Sequence, residues 1–600
     1  MKAANFVEIC KRLLEHPAST QRELAAATGL SLGLVNSTLK ECLSLEYLRR
    51  TSGNELVLTE TGQEYLDGFR VDNAIILAAG FGSRFVPFTY ETPKGLLKVK
   101  GIPMIERQIE QLKACGINEI VIVVGYLKES FDYLIDKYGV KLVYNPEYAA
   151  KNNFASLYYA LDHLKHTYLL VADTWIESNI FSTWETKSWY SCLYFEGQTA
   201  EWGVTANAQD RITQISIGGT DTWALFGPAF LSRSFSLAFA QRVRARYLTP
   251  GSEDDYWEHI LRDNLDELPP IYINKQTSRN IYEFESLEDL RLYDESYSLD
   301  SGNAYLSVIS EVFAIPQSGI TAIRPLKEGM TNTSFIFRVA DDDYVFRRPG
   351  AGTEELINRQ NEKMNYELIA PLGISDEIIY FNGDSGIKIS KYYAGARVSD
   401  PDNDDEVRTL MGLLKGIHDA GIKPEHRFDI EERINYYENL AAGLDAILFS
   451  DYKEIRAKAD ELLSFRKALA VPEVLCHIDY IYANVLHLPD GEIKVIDWEY
   501  SGAADPLIDI AMYAIYTYYS KKQMDLALRH YLQREPTRRE EARLYMYVAL
   551  GGFLWSLWAQ YKQGLGDEFG EYTLTMYRYM KEYYQLLKNG GYLNEPSIGE

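Results

Sequence analysis

Between residues 71 and 297, short unbroken apolar runs alternate with longer stretches of mixed polarity. Asn73-Ala-Ile-Ile-Leu-Ala78, Glu119-Ile-Val-Ile-Val-Val124 and Tyr168-Leu-Leu-Val-Ala172 have the length and β-branched content of fully buried strands. Buried strands alternating with helices predict an α/β, Rossmann-like doubly wound sheet. Before them, residues 1–70 read as three helices and a short hairpin. Thr20-Gln-Arg-Glu23 is a capping-box pattern, Gly29 turns the chain into a helix over 31–45, and the segment 49–58 supplies two strands around Ser52-Gly-Asn54. After them, residues 298–600 pass from a strand-rich lobe to a long helical, tyrosine-rich one, an α+β two-lobed pattern. No repeat or low-complexity linker separates the blocks 1–70, 71–297 and 298–600.

Composition narrows the class. A chain of 600 residues suits several domains, and 46% hydrophobic residues can fill sizeable cores. No run approaches the ~18 apolar residues of a membrane span, and the N-terminus has no signal-peptide core. Five cysteines stand singly, at 10, 42, 115, 192 and 476, which disfavours a disulfide framework or a zinc site. The net charge of -25 disfavours general nucleic-acid binding. The expectation is a soluble, cytoplasmic, multi-domain protein.

The first buried strand empties into Leu77-Ala-Ala-Gly-Phe-Gly-Ser-Arg-Phe-Val-Pro-Phe-Thr-Tyr-Glu-Thr-Pro-Lys94. Gly80 and Gly82 let main-chain N–H groups approach phosphates, so Ala78, Ala79, Gly80, Gly82 and Ser83 form a candidate nucleotide cradle. Arg84 and Lys94 add positive charge where pyrophosphate would leave. The whole string resembles the signature of nucleoside triphosphate transferases, and its context resembles the phosphocholine cytidylyltransferase branch. That resemblance implies a nucleoside-facing segment at Asn153 and Ser156 in Asn152-Asn-Phe-Ala-Ser-Leu-Tyr158. It implies magnesium ligands at Asp173 and, in Ile281-Tyr-Glu-Phe-Glu285, at Glu283 and Glu285. Two residues apart on a strand, these last two share a face; Glu285 stands where aspartate is commoner. Trp202, Tyr256 and Trp257 match the family's choline-contacting segments, with core packing as the competing reading for each ring.

In the last block Leu475-Cys-His-Ile-Asp-Tyr-Ile-Tyr-Ala-Asn-Val-Leu486 sets an aspartate five residues before an asparagine, and Lys494-Val-Ile-Asp-Trp-Glu-Tyr500 follows. Phosphoryl transfer needs a carboxylate facing the acceptor hydroxyl and oxygen ligands for magnesium. This order resembles kinases of the choline and aminoglycoside type, implying Asp479 as base and Asn484 and Asp497 as metal ligands. By the same resemblance Gly329, Thr331, Asn332 and Ser334 cover phosphates, Arg347 pairs with ATP, and Glu362 orients Arg347. Trp555 and Trp558 lie one helical turn apart, where choline kinases carry two tryptophans; Tyr500, Asp509 and Tyr572 also match. Standing alone, such a helix would read as an amphipathic core helix. An aromatic wall with few acids favours choline over an aminoglycoside, and ethanolamine is the closer rival. The stretch 509–518 lacks the glutamate expected near Tyr516 in some choline kinases.

Residues 1–70 resemble the winged helix of bacterial multiple-antibiotic-resistance-type regulators, whose second paired helix enters the major groove. Here that helix carries Lys40 as its one basic residue, beside Glu41. Phosphate neutralisation dominates DNA affinity, so an interaction or regulatory module is the preferred reading and DNA binding the disfavoured one. Together the resemblances imply a bifunctional enzyme. ATP and choline would give phosphocholine, and CTP and phosphocholine would give CDP-choline, with Mg2+ at both sites and bacterial surface polymers as the eventual destination. The alternatives are the same chemistry on ethanolamine, another amino alcohol or a sugar, or a regulator that senses choline metabolites.

Overall fold

The computed structural model describes residues 2–53, 55–326, 332–350, 357–566 and 569–594; Gly329 and Thr331 lie outside them. The chain forms two compact units, Met1–Pro325 and Leu326–Glu600. Among the described residues no helix is long and apolar enough to cross a membrane.

The first unit opens with α1 (Ala3–Glu15), α2 (Gln21–Thr28) and α3 (Leu32–Ser44), then a hairpin of β1 (Leu48–Arg50) and β2 (Leu56–Leu58), then α4 (Glu60–Asp67). The capping box forms as expected: Glu23 N donates to Thr20 Oγ1 at 3.3 Å and Thr20 N to Glu23 Oε2 at 2.7 Å. Phe6, Ile9, Leu13, Leu24, Leu39 and Leu66 make the small core, against which Trp184 of the following fold also packs.

That fold is a seven-stranded sheet. Its strands are β3 (Asn73–Ala78), β4 (Ile120–Val124), β5 (Lys141–Tyr144), β6 (Thr167–Val171), β8 (Ser188–Ala206), β9 (Ile212–Leu231) and β10 (Ile271–Lys275), in the order β10-β8-β9-β6-β3-β4-β5. The runs read as buried strands are buried: β4 is so at every position, and β3 at all but its last. β3 pairs in parallel with β4 on one side and β6 on the other, with Ala78 opposite Val124 and Leu77 opposite Val171. The carboxyl ends of β3 and β6 therefore finish level at a point where strand order reverses, the usual position of a ligand crevice in such sheets. A separate pair, β7 (Thr174–Ile176) with β11 (Ile281–Glu283), sits just past β6. Helices α5 (Met104–Ala114), α6 (Asn153–Tyr159), α7 (Arg233–Tyr247) and α8 (Trp257–Asp263) complete the parts used below.

In the second unit, β12 (Asn332–Val339), β13 (Asp342–Pro349), β15 (Lys388–Lys391) and β14 (Ile378–Phe381) lie side by side in that order, each pair antiparallel, and α9 (Arg359–Ile369) follows β13 in the chain. The helical part includes α10 (Asp404–Asp419), α11 (Ile430–Gly443), α12 (Tyr452–Ala468), α13 (Leu507–Tyr516), α14 (Lys521–Leu532), α15 (Arg538–Gly564) and α16 (Glu571–Asn589). α15 runs through the middle of this part and is buried on nearly every side between Ala542 and Gln560. A helix enclosed all round needs small residues where its neighbours come close. Gly552 is such a place: a Cβ there would lie 2.5 Å from Met576 O and 2.7 Å from Tyr579 Cβ on α16.

Gly552→Ala therefore forces α15 and α16 apart, at a cost of about 1–3 kcal/mol by overpacking. We expect a lowered thermal midpoint for the second unit's activity and an unchanged midpoint for the first unit's, followed by residual-activity assays after graded heating.

Candidate active sites

In the first unit the glycine-rich loop leaves β3 and folds back across the sheet edge. Gly82 is left-handed (φ +68°), and a Cβ there would sit 3.0 Å from Lys94 Cβ, so only glycine fits. Gly95 lies against the end of β6, where a Cβ would come within 2.7 Å of Ala172 Cβ. This close return delivers Lys94 to Asp173, with Nζ 2.7 Å from Oδ2. Arg84 Nη1 meets Glu285 Oε2 at 2.8 Å in a solvent-exposed pair. Glu283 is opposite Thr174 in the β7–β11 pairing, and so lies beside Asp173. Desolvation in the crevice, then the charge of Asp173, pushes the Glu283 carboxyl up. Asp173 and Glu283 thus lie side by side at the ends of β6 and β11 with Lys94 against Asp173, and their oxygens could hold a divalent cation.

The neighbouring segments are tied together. Ser156 is buried and its Oγ accepts from Asn145 Nδ2 at 3.1 Å. Asn153 Oδ1 accepts Trp257 N–H at 3.0 Å, so its side chain joins α6 to the start of α8. Trp202 is partly exposed and Tyr256 is 42% exposed. Trp257 is only 2% exposed and stacks on Tyr190 at 5.2 Å and 5°; its ring faces the core rather than the crevice. The first position of a short helix can point either way, and here the Tyr190 face captured the indole. Glu258, not singled out from the sequence, is buried beside it and accepts from Tyr190 OH at 2.9 Å, and burial pushes its carboxyl up to about 7.

In the second unit one cavity of about 700 Å³ is lined by Arg347, Asp479, Asn484 and Asp497 together with the aromatic residues named from the sequence. Arg347 and Glu362 are buried and bonded through two contacts, 2.5 Å and 3.0 Å, and Arg347 Nη1 is 3.7 Å from Asp497. Ser334 and Lys388 flank Arg347 in register on either side. Asn332 opens β12, opposite Pro349. Asn484 Nδ2 donates to Asp479 Oδ2 at 2.9 Å and to its carbonyl at 3.0 Å, which leaves the amide oxygen of Asn484 for another partner. Enclosure, then the charges of Asp497 and Glu499, pushes Asp479 well above the usual carboxylate range. Asp497 is pushed up by enclosure and then by Glu499. Repulsion of this kind is what a bound cation removes, and Asn484 with Asp497 is a donor set suited to magnesium.

The loop is held from beneath. Asp509 accepts His477 N–H at 2.8 Å and Ile478 N–H at 2.6 Å, and His418 Nε2 lies 3.1 Å away. Ile478 is left-handed (φ +70°), a costly conformation for a β-branched residue, so these bonds keep Asp479 aimed at the cavity. Above the loop, Tyr500, Trp555, Trp558 and Tyr572 line the same cavity. Tyr500 meets Trp555 edge-on at 5.7 Å, and Trp555 meets Trp558 at 6.1 Å.

Comparison with known proteins finds relatives for both units. Residues 74–174 match the MobA-like NTP transferase domain, and residues 322–545 match the phosphotransferase enzyme family. The choline-phosphate cytidylyltransferase of Streptococcus pneumoniae is 40% identical over 222 residues, covering 37% of this chain and 96% of the relative. The chain belongs to the choline-phosphate cytidylyltransferase family. A second relative, Protein LicA of Haemophilus influenzae, is 27% identical over 256 residues, 41% of this chain and 95% of its own length. The solved structure of choline kinase LicA from Streptococcus pneumoniae is 28% identical, with 47% of this chain and 98% of that chain covered and a TM-score of 0.42. The protein thus carries a cytidylyltransferase domain followed by a domain that matches the phosphotransferase enzyme family and is similar to Protein LicA.

Sequence reading missed several residues of the kinase cavity. Lys388 lines it and donates to Tyr366 OH at 2.6 Å, and the same hydroxyl accepts Asp497 N–H at 3.2 Å. Arg359 reaches Glu362 at 2.8 Å and Glu499 at 2.9 Å. Tyr516 and Met512 of α13 line the aromatic side, so Tyr516 itself stands where a glutamate was looked for nearby. Glu499 had a signal, an acid two residues past Asp497; Lys388 had only its place opposite Arg347, which strand pairing alone reveals.

Asp509→Ala leaves two buried N–H groups unpaired and frees Ile478 to leave its left-handed conformation. We expect kinase turnover to fall about 100-fold through lost orientation, while cytidylyltransferase activity of the same preparation is retained. Parallel assays of the two half-reactions check this.

Proposed function

We propose that the protein converts choline to CDP-choline in two steps at two sites. In the second unit Arg347, oriented by Glu362, binds the ATP phosphates. Asp479 faces the choline hydroxyl and takes its proton as the oxygen bonds to the γ-phosphorus and ADP departs. In the first unit a phosphate oxygen of phosphocholine bonds to the α-phosphorus of CTP, and the bond to pyrophosphate breaks. Lys94 and Arg84 supply positive charge for the departing pyrophosphate. Asn484 and Asp497 in one site, and Asp173, Glu283 and Glu285 in the other, are the residues that would hold magnesium. When bound, magnesium neutralises phosphate charge.

The observation that carries this reading is the single cavity in which Asp479 and the rings of Tyr500, Trp555 and Trp558 meet. A quaternary ammonium donates no hydrogen bond and is attracted to ring faces, by about 2 kcal/mol for a desolvated contact. That favours choline over ethanolamine, whose ammonium seeks hydrogen-bond acceptors. Residues 71–297 and 298–600 are read as the two catalytic domains, acting in the cytoplasm, where ATP and CTP are available.

Residues 1–70 are read as a winged helix that serves interaction or regulation. α3, its candidate recognition helix, exposes Leu32 and Leu34 and has Lys40 as its one basic side chain. Such a surface neutralises few phosphates.

Purified protein given choline, ATP, CTP and magnesium should form CDP-choline only when both nucleotides are present, as read by mass spectrometry. Phosphocholine without CDP-choline would refute the transferase substrate, and nucleotide binding without either product would favour a sensor. Asp479→Ala should abolish the kinase and spare CMP transfer to supplied phosphocholine; Asp173→Ala should do the reverse.

A further inference from the structure

The wall facing phosphocholine in the first unit was expected to hold Trp202, Tyr256 and Trp257, but the indole of Trp257 is turned into the core. An imidazole takes its place. His259 meets Trp202 edge-to-face, with ring centroids 4.7 Å apart and planes at 85°. The same ring lies 5.9 Å from Tyr256, its plane inclined by 27°. It contacts both rings.

We propose that His259 is the third member of the phosphocholine-facing wall and the positioning residue that sets the Trp202 and Tyr256 rings. The proposal rests on the reading of this site as a phosphocholine site, and deepens it.

The local chain explains how. Tyr256 precedes the first residue of α8, so the side chain three positions on returns to its backbone. His259 Nδ1 accepts Tyr256 N–H at 2.9 Å. An accepting Nδ1 places the proton of a neutral ring on Nε2, which fixes the tautomer by inference. This bond pins the backbone that carries Tyr256, whose side chain is 42% exposed. The imidazole edge meanwhile meets the indole of Trp202. One side chain thus sets two rings on different elements, β8 and α8.

Asp255 Oδ1 is 4.0 Å from His259 Nδ1, and Arg246 holds the other Asp255 oxygen at 2.5 Å. The Arg262 guanidinium already lies 5.9 Å from the centre of the Trp202 ring, at the outer limit of a cation–π contact. A trimethylammonium group gains from each ring face and needs no acceptor. A primary ammonium leaves three N–H groups to satisfy, so the wall that His259 organises discriminates between the two headgroups.

Three substitutions separate the two roles. His259→Phe keeps a ring and loses the acceptor; His259→Asn keeps an acceptor and loses the ring; His259→Ala loses both. With phosphocholine and CTP varied independently, His259→Ala should raise KM for phosphocholine about tenfold, the scale of one lost ring contact. KM for CTP and kcat should stay within about twofold of the parent. His259→Asn should lose preference for phosphocholine over phosphoethanolamine, and His259→Phe should keep more of it. An unchanged phosphocholine KM in His259→Ala overturns the proposal. So does a parallel rise in KM for CTP in all three, or a lowered thermal midpoint with both KM values intact. Failure of the underlying reading is distinguishable: there, unsubstituted protein makes no CDP-choline from phosphocholine and CTP.

Discussion

Carboxylates brought within a few ångströms of one another repel unless a cation lies between them, and both catalytic units are arranged around that constraint. In the second unit Arg347 grips Glu362 through both nitrogens, with Arg359 bridging Glu362 to Glu499 and Asp497 only 3.7 Å from Arg347. Removing one partner from such a buried network leaves an uncompensated charge, so the members are fixed as a group. The network still leaves Asp479 and Asp497 with carboxyls pushed above their usual range. The first unit shows the same imbalance: Lys94 answers Asp173 and Arg84 answers Glu285, while Glu283 is left pushed up beside them. Each site is short of positive charge, and that shortage is what a metal-bound nucleotide relieves.

The charged residues hold their places because backbone and packing elsewhere are costly to rearrange. Ile478 and Asp497, before and after the catalytic loop's asparagine, are both left-handed, and each has its amide held, by Asp509 and by Tyr366. Strain of this kind persists only where surrounding bonds over-determine it. The aromatic wall depends on helix packing instead. Trp555 and Trp558 belong to a helix enclosed by its neighbours, and Trp555 Nε1 points to Met512 Sδ at 3.2 Å on α13. Polar geometry aims the base, and apolar packing places the rings that receive the substrate.

What could be read from the sequence follows from the range of each interaction. The buried strands, the Thr20–Glu23 capping box, the loop from Gly80 to Lys94 and the pairing of Glu362 with Arg347 involve short spacings or strong motifs, and the structure contains all of them. Standing alone, the Trp555–Trp558 spacing read as a core helix; the helix is enclosed by its neighbours, and both rings also line the cavity. Less was legible where a side chain's direction depends on distant partners. Trp257 has the right residue type at the right place, but Tyr190, on another strand, takes its ring face. His259 carries no motif, and its contact with Trp202 joins residues far apart in sequence. Lys388 likewise acts through strand register, which periodicity does not encode, and the resemblance named Asp509 without its hold on the loop backbone.

In the proposed function two unrelated folds in one chain meet the same headgroup, and the physics of recognition is shared although the architecture is not. In the kinase the wall is a pair of indoles a helical turn apart; in the transferase it is an indole from a long strand and a phenol beside a short helix. Consecutive recognition has a consequence for specificity that neither site achieves alone. A headgroup disfavoured about tenfold at each step is disfavoured about a hundredfold in the final product, because the two ratios multiply. A hydrophobic or aromatic pocket discriminates weakly between substrates that differ by methyl groups. Repeating the selection on a second scaffold, at equal stoichiometry and without any need for direct transfer between sites, is a physical advantage of keeping both activities in one polypeptide.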